Sequence, residues 1–223
     1  MNLNKHAEFF NPEDLHEPIH IIGCGAIGST IAEMLTRLGI GSLDLYDFDT
    51  VTEHNITNQM YKATQVGMPK CKALKAILRE INPDIEINIH DQGWHEQSHL
   101  SGYVFLAVDN IDLRREIVLE NQYNPYILAM FDTRMRLTDG QHFAATWTQE
   151  NIKRFLATMD FTHDEAKTET PVSACGTTLS VTPTVRMLCS AVVSNFINVC
   201  LKKPIAKMIL LDAFQYTIDV CYE

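Results

Sequence analysis

The sequence predicts an α/β protein with a mostly parallel sheet that is covered by helices on both faces. Short apolar runs alternate with helical patterns from residue 19 to residue 147, an order typical of parallel sheets. The first run, Ile19–Ile22, leads into a glycine-rich turn and then into an amphipathic helix. With 46% hydrophobic and 21% charged residues over 223 positions, the chain has the composition of a globular protein.

The first three elements surround the glycine-rich turn. Residues Ile19–Gly23 form a predicted strand, and Ala26–Leu38 has the apolar spacing of a helix. The segment "SLDLYD", residues 42–47, has apolar residues at alternate positions, which predicts a second strand. Strand, turn, helix and strand therefore form one βαβ-like unit.

The next elements continue the alternation. The segment "VTEHNITNQMY", residues 51–61, has no helical periodicity and is expected to be a polar connection. Pro69 then starts a helix over 70–81, which Asn-Pro stops. Residues 84–90 alternate as a strand, and the apolar run at 103–109 predicts a buried strand.

The second half of the chain contains four more strands and two more helices by the same criteria. Asp112 is expected to cap a helix that ends near Gln122. The polar stretch 162–173 is expected to be a long loop. The remaining elements are predicted strands at 126–132, 140–147, 207–214 and 216–223 and an apolar helix at 182–201.

The glycine turn has the spacing G-x-G-x-x-G, with Gly23, Gly25 and Gly28. In such a unit the glycines permit a tight turn, close approach to phosphate and helix–strand packing, and the helix N-terminus favours anions. Asp47, at the end of the second strand, is placed to accept hydrogen bonds from ribose hydroxyls. The turn predicts a nucleotide site and leaves two nucleotides open, a nicotinamide dinucleotide or ATP. A chance glycine-rich turn is the alternative.

Five further motifs follow the turn. "LYDFDTVTEHNITNQ" carries an acid-x-acid segment with Asn and Gln after it, and "VGMPKCKALKAILREINP" is a Gly-x-x-Lys helix that ends in Asn-Pro. "AVDNIDLR" contains Asp-Asn-x-x-x-Arg, "RMRLTDGQ" is a strand turn, and "ETPVSACGTTLSVTPTV" is a loop with a cysteine. In this order the motifs resemble those of the ThiF/MoeB adenylyltransferases, which include the activating enzymes of ubiquitin-like proteins. The resemblance covers nearly the whole chain.

The resemblance implies a Rossmann-like, ThiF/MoeB-type fold with C-terminal antiparallel strands, in one domain over residues 1–223. The nucleotide-binding half would be about 18–110, and the partner-binding and crossover-loop half about 111–223. The implied cofactors are ATP and Mg²⁺. The implied reaction is adenylation of a carboxylate, above all the C-terminal glycine of a ubiquitin-like β-grasp carrier protein, by a homodimer.

The motif residues suit adenylation. Asp47 and Asp49 would flank the ribose, Lys70 would reach the triphosphate, and Asp109, after a buried strand, would hold magnesium against phosphate oxygens. Simpler interpretations are that Asp49 and Asn55 are turn formers, that Lys70 is a solvated helix lysine, and that Asp109 is a helix cap. The predicted catalytic residues are Asp109, Lys70 and Cys175. The predicted nucleotide-binding residues are Gly23, Gly25, Ala26, Ile27, Gly28, Asp47, Asp49, Asn55, Asn58, Gln59, Lys70, Asp109, Asn110 and Arg114, although Arg114 and Arg115 could also be surface ion-pair residues.

The chain departs from the family pattern at Asn58, where the family has an arginine. No arginine precedes Arg37 either, whereas family members often receive a phosphate-binding arginine from the N-terminal segment of a dimer partner. A missing charged contact to a transition state costs about 2–4 kcal/mol. Either another cation substitutes, with Lys5, Lys62 and Arg134 as candidates, or the protein binds nucleotide as a scaffold without turnover.

Cys175 lies in the crossover loop just before a helix, a position that favours the thiolate. It could attack an acyl adenylate to form a thioester, or it could be a small buried residue in a turn. Cys24 and Cys71 are expected to be structural, and Cys189, Cys200 and Cys221 to be core residues. Because no C-x-x-C pair occurs, we expect no zinc site.

The formal net charge of −10, without any cluster of Lys or Arg, argues against nucleic acid as the main partner. We expect no membrane association, because no apolar run is long enough to span a bilayer. The N-terminus lacks the features of a signal peptide, and scattered cysteines fit a reducing, cytoplasmic setting. Modification of a peptide or small molecule by ATP, and NAD-linked redox chemistry, remain as competing functions.

Overall fold

One mixed sheet forms the centre of the computed structural model, which describes residues 1–169, 172 and 179–222. Its strands are β1 (Ile19–Ile22), β2 (Ser42–Tyr46), β3 (Glu86–His90), β4 (Gly102–Leu106), β5 (Ile127–Met135), β6 (Asp139–Thr146), β7 (Ala206–Asp212) and β8 (Thr217–Tyr222). They lie in the order β3-β2-β1-β4-β5-β6-β7-β8. The pairs from β3 to β5 are parallel, and the pairs from β5 to β8 are antiparallel. The predicted fold class, with antiparallel strands at the C-terminal end, is confirmed.

Helices cover both faces of this sheet. They are α1 (Ala26–Arg37), α2 (Lys70–Ile81), α3 (Ile111–Glu120), α4 (Gln149–Ala157), α5 (His163–Glu169) and α6 (Thr182–Cys200), with 3₁₀ helices at Pro12–Asp14, Glu53–Thr57 and Ala63–Gln65. On one face α1 packs against α2 and α6, and on the other α3 packs against α4 and α5. The central strands are therefore buried on both sides.

Successive residues of the central strands enter two different hydrophobic cores, because side chains along a strand alternate between faces. Ile21 and Phe105 pack with the α1 and α6 side chains, whereas Ile22 and Leu106 pack with the α3 and α4 side chains. This explains why β1 and β4 appear in the sequence as continuous apolar runs rather than alternating ones. It also fixes the register of β1 between its neighbours.

Several local predictions are wrong. The polar stretch expected to be a loop contains α5, and the connection expected to lack helix contains the 3₁₀ helix Glu53–Thr57. Helix α3 is capped by Asn110 rather than by Asp112 or Asp109, because the Asn110 Oδ1 accepts from the backbone N–H groups of Asp112 and Leu113. Helix α4 has no counterpart among the predicted elements. The other predicted boundaries agree with the structure to within three residues.

Candidate functional site

The carboxyl ends of three parallel strands meet in one row of the sheet. Ile22 at the end of β1 lies opposite Tyr46 of β2 and Leu106 of β4. Beyond that row, the N–H of Gly23 donates to the Tyr46 carbonyl at 2.8 Å, and the N–H of Ala107 donates to the Ile22 carbonyl at 2.8 Å. The residues that follow these strands are therefore brought to a common edge, where open α/β sheets bind their ligands.

The glycine turn is closed at two of its glycines and open at the third. Gly23 has φ +96°, and a Cβ there would lie 2.7 Å from the Ala107 carbonyl carbon. A Cβ on Gly28 would lie 1.8 Å from the Gly23 carbonyl oxygen, so the helix packs directly on the turn. At Gly25, the N-cap of α1, no side chain caps the helix and nothing lies within 4 Å of an added Cβ. The backbone at Ala26 and Ile27 thus begins a helix at an open anion-binding terminus.

Asp47 is fixed beside this turn by two backbone hydrogen bonds. Its carboxylate accepts from the N–H of Cys24 at 2.7 Å and from the N–H of Asp49 at 2.8 Å. Burial raises the pKa of Asp47, an effect that the positive charge of Lys70 partly offsets. Each carboxylate oxygen has a second lone pair, so the group can also accept hydrogen bonds from vicinal hydroxyls.

Lys70 begins α2 and is buried, with 7% of its surface exposed. Its Nζ lies 2.7 Å from the Asp49 carboxylate, and its backbone N–H donates to the Asp49 carbonyl at 2.9 Å. The side chain is therefore not a solvated helix lysine. It is held at the same edge of the sheet as Asp47.

The connector between β2 and α2, residues 47–69, carries the three amide residues that were predicted to bind nucleotide. Asn55 accepts from the Thr52 N–H at 2.9 Å, so its oxygen caps the 3₁₀ helix, as the turn-former interpretation expects. Asn58 donates to the Ser180 hydroxyl, just before α6. The Oε1 of Gln59 is buried and has no hydrogen-bond partner among the described residues. An acceptor of this kind fits a donor from a bound ligand.

Asp109 follows β4 and is exposed, whereas Arg114 is 6% exposed and turned into the protein. The Arg114 guanidinium donates to the carbonyl oxygens of Val108 at 2.8 Å and Leu106 at 3.3 Å and also pairs with Asp132. The surface ion-pair interpretation is wrong for Arg114. In this arrangement Arg114 fixes the backbone that leads to Asp109.

Arg115, the next residue, is about half exposed, and its guanidinium lies 3.5 Å from the Asp160 carboxylate. Its prediction as a surface ion-pair residue is confirmed. Arg114 is therefore buried and has several acceptors, whereas Arg115 is half exposed and has one carboxylate at 3.5 Å.

The cysteines separate into buried and half-buried groups. The thiols of Cys24 and Cys71 lie 3.8 Å apart beneath the glycine turn, and both residues are fully buried. Cys189 is a core residue, and burial raises the pKa of its thiol to about 12. Cys200 and Cys221 are only half-buried. Cys175 lies outside the described residues.

The three cations suggested as substitutes for an arginine at position 58 lie elsewhere. Lys62 pairs with Glu80 at 2.5 Å on the surface, and Arg134 pairs with Asp132 and Thr158. Lys5 precedes His6, whose ring bonds the Leu38 carbonyl at the far end of α1, about 20 Å from Gly25. A cation that the sequence did not single out, Arg186 of α6, contacts the connector instead.

The fold and the turn define a Rossmann-like α/β protein in which an uncapped helix N-terminus lies at the carboxyl edge of the sheet. Comparison with known proteins gives the family. The chain belongs to the ThiF family, whose sequence pattern it matches over residues 15–221. The resemblance inferred from the motifs is confirmed.

Relatives with this similarity include ubiquitin-like modifier-activating enzyme 5 from several organisms. The Caenorhabditis elegans protein is 41% identical over 73 residues, which cover 33% of this chain and 17% of that relative. The Arabidopsis thaliana protein is 51% identical over 67 residues, 30% of this chain and 16% of the relative. The chain thus matches less than a fifth of the length of these two relatives.

Solved structures share the fold along most of the chain. Escherichia coli MccB with ATP has a TM-score of 0.69 at 18% identity and covers 95% of this chain and 65% of its own. Escherichia coli tRNA N6-threonylcarbamoyladenosine dehydratase, TcdA, has a TM-score of 0.63 at 18% identity and covers 90% and 94%. At this identity the likeness shows the fold.

Membrane-spanning helices and metal-binding clusters are both missing from the described part of the chain. None of its helices combines the length and apolar character needed to cross a bilayer. In residues 1–169, 172 and 179–222, no group of three or more His, Cys, Asp or Glu side chains is arranged to hold a metal ion. A magnesium ion chelated by phosphates needs only one or two protein carboxylates, so Asp109 fits that role.

Proposed function

We propose that this protein binds ATP with Mg²⁺ and adenylates a carboxylate. The observation that carries the proposal is the open glycine turn at Gly25, set at one edge of the sheet with Asp47 and the buried Lys70. Membership of the ThiF family and the resemblance to ubiquitin-like modifier-activating enzymes support the reaction type.

In this proposal the N-terminus of α1 at Gly25, Ala26 and Ile27 holds phosphate oxygens, and Asp47 accepts the ribose hydroxyls. Lys70, released from Asp49 or shared with it, lies against the triphosphate. The connector residues Asn55, Asn58 and Gln59 border the same space, and the unpaired Gln59 oxygen offers an acceptor. Asn110 and Arg114 act as positioning residues, because their described contacts hold the turn that presents Asp109.

The reaction is in-line displacement at the α-phosphorus. A substrate carboxylate oxygen forms the new P–O bond while the bond to the β-phosphate oxygen breaks, and pyrophosphate leaves. Little covalent chemistry is required of the protein, so positioning and charge neutralisation by Lys70 and the α1 terminus provide the rate enhancement. Magnesium, held by Asp109, would neutralise charge on the phosphates.

The proposed substrate is the C-terminus of a ubiquitin-like or sulfur-carrier β-grasp protein. Residues 18–110 would form the nucleotide-binding half, and residues 111–223 would receive the partner. A homodimer through the apolar segments after Pro183, in the cytoplasm, belongs to the same proposal. The similarity to ubiquitin-like modifier-activating enzyme 5, over 73 residues shared with the Caenorhabditis elegans protein, supports the choice of a ubiquitin-like substrate.

Cys175 would act after adenylation. Its thiolate would attack the carbonyl carbon of the acyl adenylate, form a thioester and release AMP. The test is Cys175→Ala assayed for both steps: unchanged adenylation with loss of the thioester supports the role, and unchanged transfer to the final acceptor contradicts it.

A scaffold that binds nucleotide or a β-grasp partner without turnover is the second candidate function. Asn58 favours it, because the family has an arginine at this position and the amide carries no charge toward the leaving pyrophosphate. ATP binding without any ATP–pyrophosphate exchange, with every candidate partner, would select the scaffold.

The deciding experiment is ATP–pyrophosphate exchange with purified β-grasp proteins. Lys70→Met should lower the exchange rate about 10²- to 10³-fold, because it removes a buried cation from the phosphates. Lys72→Met is the matched control, since Lys72 lies on the same helix, is exposed and is 3.9 Å from Asp91. Equal exchange rates in both variants would contradict the proposed role of Lys70.

A further inference from the structure

Three contacts join the start of α6 to the connector that was predicted to bind phosphate. Asn58 donates to the Ser180 hydroxyl, and the Thr182 hydroxyl donates to the Thr57 carbonyl at 2.8 Å. Further along α6, an Nη of Arg186 lies 3.0 Å from the Met60 sulfur. The segments 57–60 and 180–186 thus lie side by side, although more than 120 residues separate them.

Arg186 also reaches the helix that starts at the glycine turn. Its second Nη lies 3.3 Å from the Thr30 hydroxyl, on the second turn of α1, and α1 and α6 are packed against each other. Thr30 is five residues from Gly25, or about 7 Å along the helix axis. The guanidinium therefore lies between Met60 of the connector and the second turn of α1, less than two helical turns from the N-terminus of that helix.

The charge of Arg186 is not neutralised by any described residue. No carboxylate of residues 1–169, 172 and 179–222 forms an ion pair with it, and its recorded hydrogen bonds go to a hydroxyl and a thioether. A thioether is a weak acceptor, so most of the five guanidinium N–H donors stay available. By contrast Lys70 already pairs with Asp49, and Asp47 and Asp109 add negative charge to the same edge.

We propose that Arg186 is the cation that binds the β- and γ-phosphates of ATP in this protein, in the place that Asn58 leaves uncharged. The proposal rests on the nucleotide site of the proposed function. It places the positive charge that binds the phosphates on the long helix α6 rather than on the connector after β2. Arg186 would make charge-assisted, two-donor contacts with the distal phosphates and no contact with the α-phosphate or the adenosine.

The test compares ATP with AMP, because AMP lacks the phosphates that Arg186 would bind. In Arg186→Gln, the dissociation constant of Mg·ATP measured by calorimetry should rise about 10- to 100-fold, while that of AMP should change less than about threefold. Arg115→Gln is the matched control, since it removes a partly exposed arginine elsewhere and should leave both constants unchanged. Adding Asn58→Arg to Arg186→Gln should restore most of the ATP affinity.

An unchanged ratio of ATP to AMP affinity in Arg186→Gln would overturn the proposal. If this variant melts below the assay temperature, the wild-type protein gives the answer through arginine labelling with phenylglyoxal. ATP should protect Arg186 and AMP should not, and equal labelling with both nucleotides would also overturn the proposal.

The proposal and the proposed adenylation can fail separately. Selective loss of ATP affinity in Arg186→Gln without exchange activity in the wild type would contradict adenylation and support the role of Arg186. Exchange activity in the wild type, with an unchanged ratio of ATP to AMP affinity in Arg186→Gln, would support adenylation and contradict the role of Arg186.

Discussion

Replacement of Arg114 by Met removes a charge from the interior of the sheet while keeping a long side chain. The wild-type guanidinium pairs with Asp132, which is 0% exposed, and donates to the carbonyl oxygens of Leu106, Val108 and Thr133. In Arg114→Met all of these acceptors lose a donor, and the turn before Asp109 loses its anchor.

The expected loss of unfolding free energy follows from this arrangement. Removing one partner of a buried ion pair costs about 3–5 kcal/mol. Asp132 keeps a second partner, because Arg134 lies 2.5 Å from its other oxygen, so we expect the lower end, about 3 kcal/mol. For a chain of 223 residues this corresponds to a melting temperature lower by roughly 6–12 °C.

Urea unfolding followed by circular dichroism measures the loss directly. The control is Arg115→Met on the same helix, whose 3.5 Å pair with Asp160 is exposed and should contribute less than about 1 kcal/mol. If the two variants unfold at the same urea concentration, or if Arg114→Met loses less than about 1 kcal/mol, the anchoring role of Arg114 is refuted.

Three further predictions concern the glycine turn, a buried histidine and a buried pair of thiols. Gly28→Ala should fail to fold stably, because its Cβ would lie 1.8 Å from a carbonyl oxygen, whereas Gly25→Ala should melt within a few degrees of wild type and lose nucleotide affinity. Burial lowers the pKa of His142 to about 4, so its contribution to stability is complete above pH 6.5 and falls by about 3 kcal/mol as the pH drops to 4. A hydrogen bond between the Cys24 and Cys71 thiols, together with burial, raises the pKa of Cys24. Because both residues are also fully buried, iodoacetamide at pH 8 should leave both thiols unmodified in the folded chain.

Each of these has a control and a contrary result. Gly41→Ala, where an added Cβ also meets open space, should keep both fold and affinity; a stable Gly28→Ala would contradict the packing argument. In His142→Gln the free energy of unfolding should change less between pH 4 and 6.5 than in the wild type. His95→Gln, which replaces an exposed histidine, is the control, and an equally steep change in both variants would contradict the prediction. Rapid labelling of Cys24 in folded protein, at the rate seen in urea, would contradict its burial.

The alternating part of the fold was predictable because each element carries its own local signal. The apolar runs of β1 and β4 and the amphipathic spacing of α1 and α2 depend on neighbours within a few residues. Helix α5 has a local signal at its start, because the Thr162 and Glu165 side chains bond each other's backbone N–H groups, as in a capping box. Its polar composition has no apolar periodicity, which is why hydrophobic patterning predicts a loop there.

The site was predictable only where residues follow directly on a strand or begin a helix. Asp47 and Lys70 have such positions, and family motifs point to them. The burial of Arg114 depends on Asp132, on another strand, and the position of Arg186 depends on Met60, 126 residues earlier. Contacts between residues this far apart have no local pattern in one sequence, so only the folded chain brings them together.

The glycine turn also bears on how sequences of this fold can diverge. The two glycines that meet backbone atoms are required for folding, so substitutions there are removed by selection for a stable chain. Gly25, where an added Cβ meets open space, is under no such constraint, and in the proposed function it lies against the phosphates. After gene duplication, one substitution at Gly25 could therefore remove nucleotide binding while the protein remains folded. Gly23 and Gly28 would be retained in such a copy and would still identify its origin.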